Sequence, residues 1–305
     1  MAVHVDCSER IEAFIEYLRT EKHKSENTLI AYKRDLASFE IFLEEHSSKP
    51  LESCRDSDAV AYVLELENEN KSKATINRKI SSIRLFYEYL KGQDLYKDPN
   101  PFRKIHTSRN DRRQVEFLTV EEVTKLMETP DESFKGLRDR ALLEFMYGTG
   151  ARVTETVRLK FRDINFRMNF VTLQDGTGES RIVPLGSYAM KALLRYRDDA
   201  YGALTGDGRT PSGDDVVFIN FRGSMLTRQG VWKILKEYGD AIGAKERMTP
   251  VILRNSFAVH ILQNGGDLRT LQDLMGFDDM SVGIAYLSAI RVRVKDVYNR
   301  THPRA

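Results

Sequence analysis

The chain has 305 residues, enough for two domains, and 41% of them are hydrophobic, enough to fill a core in each. Its 30% charged content and the lack of a long uncharged apolar run exclude a membrane-spanning segment. No basic-then-apolar leader is evident, so the expected location is the cytoplasm. A net charge of +2 neither demands nor excludes nucleic acid, because such a partner needs a basic face and not a basic total. Cys7 and Cys54 have neither metal-ligand nor disulfide-framework spacing and read as reduced structural thiols.

From about Asp6 to His106 the signals are helical only. Ser25 to Leu43 places Leu29, Tyr32, Leu36, Phe39 and Leu43 at helical spacing behind a Ser-Glu-Asn-Thr start rich in capping oxygens. Thr75 to Leu90 carries Ile76, Ile80, Ile83, Tyr87 and Leu90 as one apolar stripe, with Thr75, Arg78, Lys79 and Ser82 on the other side. That polar row suits either a solvated helix face or contacts to a phosphate backbone, where cations release condensed counterions. Asp98-Pro99-Asn100-Pro101 then stops helices twice over, and the basic, aperiodic run Lys104 to Arg113 reads as a linker. The expected boundaries are a helical domain over 1–106, a linker over 107–115 and a second domain over 116–305.

The second domain opens with Thr119 ahead of Glu121 and Glu122, a dipole-favoured helix start. Leu137 to Phe161 reads as an apolar helix, a Gly-Thr-Gly turn and a short helix carrying Arg152 and Glu155. Phe170 to Leu173 and Arg181 to Leu185 flank a glycine turn as a hairpin, and Asp215 to Asn220 reads as a further short strand. Val231 to Ile242 is helical, preceded by Leu226-Thr227-Arg228. Thr249 to Tyr286 reads as two amphipathic helices around a Gly-Gly turn. Ile252, Phe257, Ile261 and Leu262 line the first and Leu268, Leu271, Leu274 and Met275 the second, with Asp267 as N-cap; Tyr286 then opens another helical pattern. Val292 to Ala305 reads as a basic terminal helix. The expected fold class is therefore mainly α with a small antiparallel β-sheet in the C-terminal domain.

Several of these stretches resemble one family, the tyrosine recombinases of the phage-integrase and Xer type. S-E-N-T-L-I-A-Y-K-R-D-L and T-I-N-R-K-I-S-S-I-R-L-F-Y are similar to its N-terminal core-binding domain, R-D-R-A-L-L and T-G-A-R-V-T-E to its first arginine segment, and T-P-V-I-L-R-N-S-F-A-V-H to its C-terminal signature. The resemblance implies a two-domain, C-shaped clamp on double-stranded DNA. Contacts are implied at Thr75, Arg78, Lys79, Ser82 and Arg228, and assembly as a tetramer with itself or a related recombinase. It implies Arg152 and Arg254 as the phosphate-binding pair and Tyr286 as the nucleophile, forming a 3′-phosphotyrosine with no metal or other cofactor. An arginine pair suits that task, since each guanidinium can give paired hydrogen bonds to phosphate oxygens.

The match departs from the family at three positions. Thr177 stands where the hairpin lysine is usual, and Val251 and Phe277 stand where the family has histidines. A tyrosine must lose its proton to attack and the 5′-oxygen must gain one to leave, and none of these three side chains titrates usefully. Each general acid or base contributes roughly a hundred- to ten-thousand-fold. The expectation is a recombinase slowed at its chemical step, the alternative a catalytically silent DNA-binding relative. Arg181, His260 and Asp278 are the neighbouring groups that recruitment would draw on.

Overall fold

The computed structural model describes residues 9–105, 115–175, 178–277 and 279–304, which divide into two compact units, Met1–Arg113 and Gln114–Ala305. Helix predominates, and the named strands form one small sheet. Among the described residues no helix is long and apolar enough to cross a membrane.

The first unit packs α1 (Glu9–Thr20), α2 (Glu26–Ser47), α3 (Asp56–Asn68) and α4 (Lys73–Gly92) around Phe14, Leu36, Phe39, Ile80, Ile83 and Phe86. Ser25 and Ser72 cap α2 and α4, their hydroxyls accepting from the Thr28 and Thr75 amides. The apolar stripe read for α4 is the buried one, but its polar row is not an open face. Ser82 is fully buried and Lys79 is 8% exposed, because α2 packs there and offers Asp35, itself 2% exposed. A carboxylate so far from water needs partners. Arg78 donates to it, Ser82 Oγ donates at 3.2 Å, and Lys79 Nζ lies 3.8 Å from it while donating to the Tyr62 hydroxyl at 3.2 Å. Of the four residues, Arg78 is exposed and Thr75 is half-buried.

The second unit begins with α5 (Val120–Glu128), whose Thr119 and Glu122 form a reciprocal capping box. It continues through α6 (Phe134–Thr149), α7 (Val153–Arg158), β1 (Ile164–Asn165), β2 (Phe170–Gln174), β3 (Ser180–Pro184), α8 (Ser187–Arg195) and α9 (Tyr201–Thr205). Four helices complete it: α10 (Arg228–Ala241), α11 (Pro250–Gln263), α12 (Leu268–Met275) and α13 (Met280–Thr301). The strands run β1-β2-β3, all antiparallel, with Val171 opposite Val183 and Leu173 opposite Arg181. Asp215 to Asn220 does not join this sheet. It makes only isolated bridges, Lys160 with Val216 and Ile219 with Met225, while its apolar residues Val217, Phe218 and Ile219 are fully buried. Burial, not pairing, explains its β-former composition. Tyr286 and the basic tail as far as Thr301, read as separate patterns, belong to the single helix α13.

Arg138 and Asp139 of α6 are a buried pair. Arg138 donates to Asp139 at 2.7 Å and to the Ile219 carbonyl at 3.1 Å, and Tyr238 of α10 donates to Asp139 at 3.0 Å. A second cluster, Phe257, Leu262, Leu271, Met275, Phe277 and Tyr286, packs α11, α12 and α13 together.

Candidate active site

Two glycine-dependent turns place the arginines. Gly150 ends α6 in the left-handed conformation at φ 60, and a Cβ there would lie 2.5 Å from the Phe257 ring. The chain therefore turns close against α11 and delivers Arg152 as the N-cap of α7. Gly276 ends α12 at φ 59 and leaves the last carbonyls of that helix turned outward. Arg152 Nη2 donates to the Gly276 oxygen at 2.5 Å and Arg254 Nη2 to the Met275 oxygen at 2.6 Å. Successive carbonyls of one helix end thus bring together two guanidiniums that lie about a hundred residues apart in sequence. Arg254 also donates to the Gly150 carbonyl.

Glu155, 3% exposed, is the counter-ion. It accepts from the Arg152 amide at 2.6 Å and its Nη1 at 2.9 Å, and from Arg181 of β3 at 2.7 and 2.9 Å. Burial pushes its carboxyl upward, but Arg181 and Arg152 outweigh that and hold it below the usual glutamate range. Burial, with Arg152 beside it, brings Arg254 down to about 10. Three guanidiniums gather around one buried carboxylate, Glu155, so cationic groups are in excess within this cluster. A cleft of about 130 Å3 lined by Arg152, Arg181, Ser180, Glu179, Asp175 and Phe277 opens beside them.

Tyr286 sits in the second turn of α13 and is 8% exposed, its hydroxyl donating to Asn255 Oδ1 at 3.2 Å. Burial raises its phenol above the ordinary tyrosine value, while Arg254 and Arg152 pull it down.

Val251 is 60% exposed in the first turn of α11, and Phe277 is 8% exposed with its ring against Gly283 of α13. Thr177 and Asp278 lie outside the described residues. Arg181 spends both terminal nitrogens on Glu155 and its Nε on the Leu274 carbonyl, and His260 Nδ1 is 2.9 Å from the Tyr147 hydroxyl inside the α11 core. Both are already engaged. Arg228 is exposed at the start of α10. Three contributors had no signal in the sequence: the Met275 and Gly276 carbonyls, which periodicity cannot mark, and Asn255, one residue past Arg254. Among the described residues no group of three or more His, Cys, Asp or Glu side chains is gathered as a metal site.

A helical unit is thus followed by a helical unit with a small sheet, and the second holds a pair of arginines beside a buried tyrosine. The profile of the phage integrase family matches residues 116–290, and that of the phage integrase N-terminal SAM-like domain matches residues 11–94. The chain is 37% identical to the tyrosine recombinase XerD of Oceanobacillus iheyensis, covering 97% of this chain and 98% of that one. It is 38% identical to the tyrosine recombinase XerD of Listeria innocua, over 97% and 99%. The chain therefore belongs to the phage integrase family of tyrosine recombinases. Among solved structures, the XerH recombinase bound to palindromic difH, a post-cleavage complex, is similar with a TM-score of 0.74 at 19% identity, covering 94% of this chain and 82% of that one. The XerA recombinase is similar with a TM-score of 0.53 at 23% identity, over 97% and 100%.

Proposed function

We propose that the protein is a site-specific DNA-binding recombinase whose Tyr286 cleaves and rejoins strands through a 3′-phosphotyrosine, slowly. The observation that carries this reading is the convergence of Arg152 and Arg254 on the two carbonyls ending α12, one helix away from Tyr286. Such a pair grips a scissile phosphate and offsets charge that builds on its oxygens. Attack forms the bond from the Tyr286 oxygen to phosphorus and breaks the bond to the 5′-oxygen. The energy of the phosphodiester stays in the covalent intermediate, so no cofactor is required.

The rate is limited by protons. Val251 and Phe277 bring no titrating group, Arg181 is held by Glu155, and His260 is paired with Tyr147. Phosphate binding, resting on the arginines, persists while turnover is reduced. The first unit contributes duplex contacts through exposed Arg78, and Arg228 adds one from the second, with assembly on DNA as a tetramer of this chain or with a related recombinase. The XerH neighbour was captured bound to its DNA site, which supports a duplex partner here.

A second reading, a catalytically silent occupant of a recombination site, is favoured by the three departures Thr177, Val251 and Phe277. Incubating the protein with a nicked random-sequence duplex pool, denaturing in SDS and sequencing both fractions separates the two. A covalent adduct that disappears in Tyr286→Phe supports slow cleavage; an enriched site with no adduct supports the silent occupant.

A further inference from the structure

Asn255 is the polar group in contact with the Tyr286 hydroxyl, and its own orientation is fixed from outside the pair. Its Nδ2 donates to the Glu116 carbonyl at 3.0 Å, an oxygen that can only accept. That contact decides which end of the amide faces α13. Oδ1 must turn toward Tyr286, and the 3.2 Å contact must run from the phenol to the amide oxygen. A carbonyl oxygen accepts from a neutral phenol and repels a phenolate. The two groups ride on α11 and α13, packed through Phe257, Leu262 and Phe277, so the contact is a property of the helix packing.

We propose that Asn255 is a positioning residue that restrains strand cleavage, holding the Tyr286 hydroxyl protonated and turned toward α11 until substrate displaces it. This rests on the reading of Tyr286 as the nucleophile. The charged groups acting on the phenol are Arg254 of α11 and Arg152 at the start of α7, both favouring phenolate; Glu155 is occupied by Arg152 and Arg181, and His260 by Tyr147. Two arginines therefore favour the ion while one amide, fixed by Glu116, favours the neutral form. In a site without the family histidines, this hydrogen bond governs when the nucleophile ionises. On release the phenolic proton passes to solvent, the oxygen bonds phosphorus, and the bond to the 5′-oxygen breaks with that oxygen taking a proton from water.

The test uses the full chain with difluorotyrosine at position 286, a phenol that titrates near neutrality and is read by absorbance without exposing the fold to alkali. In Asn255→Leu, close in shape but without an acceptor, the phenol should titrate about one pH unit lower than with Asn255, as expected for loss of one hydrogen bond to the neutral form. In Asn255→Asp it should titrate higher, since a carboxylate accepts more strongly and repels a phenolate more. Unmodified Tyr286 on a nicked duplex should show its pH dependence of adduct formation displaced the same way, about tenfold faster near neutrality in Asn255→Leu. A titration unmoved in both variants would overturn the proposal, even if adduct yield changes, because a merely structural role alters yield without moving the phenol. Absence of adduct in every variant, with the titration still shifted, would instead count against Tyr286 as nucleophile and leave the hydrogen-bond assignment standing.

Discussion

Arg181 and Glu155 meet in a two-point pair, Nη1 to Oε1 at 2.7 Å and Nη2 to Oε2 at 2.9 Å, and this pair ties β3 to the helix that carries Arg152. Replacing Arg181 with methionine leaves Glu155 buried with Arg152 alone. The expected cost is about 3 kcal/mol, the low end of the range for breaking a buried pair, because one partner remains. Urea unfolding with an unchanged slope checks it. Phosphate affinity falls as well, since Arg152 is drawn toward the carboxylate.

The same carboxylate sets an acid dependence. The Glu155 folded value lies below its unfolded one, so its contribution is present above the unfolded value, about 4.3, and is lost as pH falls through the folded value. The native protein should lose more stability than Glu155→Gln as pH drops from about 5 to about 3. Parallel thermal melts measure the difference, and identical slopes would count against the pair.

Gly150→Ala is expected to cost about 2 kcal/mol or more. The residue sits at φ 60 and a new Cβ would press on the Phe257 ring. Because the Gly150 carbonyl accepts from Arg254, DNA affinity should fall with stability, which separates this site from a simple turn defect.

The two units differ in how legible they were. The helices of the first follow from apolar spacing and Ser caps, and the polar row on α4 was visible as a row. Its destination was not, because Asp35 lies about forty residues earlier on α2 and pairing across that distance leaves no periodic trace. In the second unit Arg152, Arg254 and Tyr286 were found through motif resemblance, and the hairpin through β-formers around glycine. Asp215 to Asn220 read as a strand because buried loops and buried strands draw on the same residues. The carbonyls that gather the arginines are backbone atoms, invisible to any reading by residue type.

Arg78 and Lys79 make opposite predictions from adjacent positions. Arg78 is exposed, so Arg78→Ala should lower the dependence of log affinity on log salt by about one. Lys79 is buried between Asp35 and Tyr62, so Lys79→Met should leave that slope unchanged. Binding isotherms over a salt series decide between them.

Placing histidine at Val251 and at Phe277 should not be symmetrical. Val251 is exposed, so Val251→His is expected to be neutral in stability and to raise adduct formation. Phe277 is packed among Met275, Leu271 and Tyr286, so Phe277→His should cost about 1 to 3 kcal/mol whatever it adds to the chemistry. Melting curves beside adduct time courses read both effects.

The most direct test of the central claim, an intact phosphate grip without proton transfer, replaces the bridging 5′-oxygen at the scissile phosphate with sulfur. A thiolate leaves without being protonated, so a missing general acid no longer matters. The sulfur duplex should therefore form the Tyr286 adduct roughly a hundred-fold or more faster than the oxygen duplex. Equal rates on the two duplexes would mean that an acid is present after all, and would contradict it.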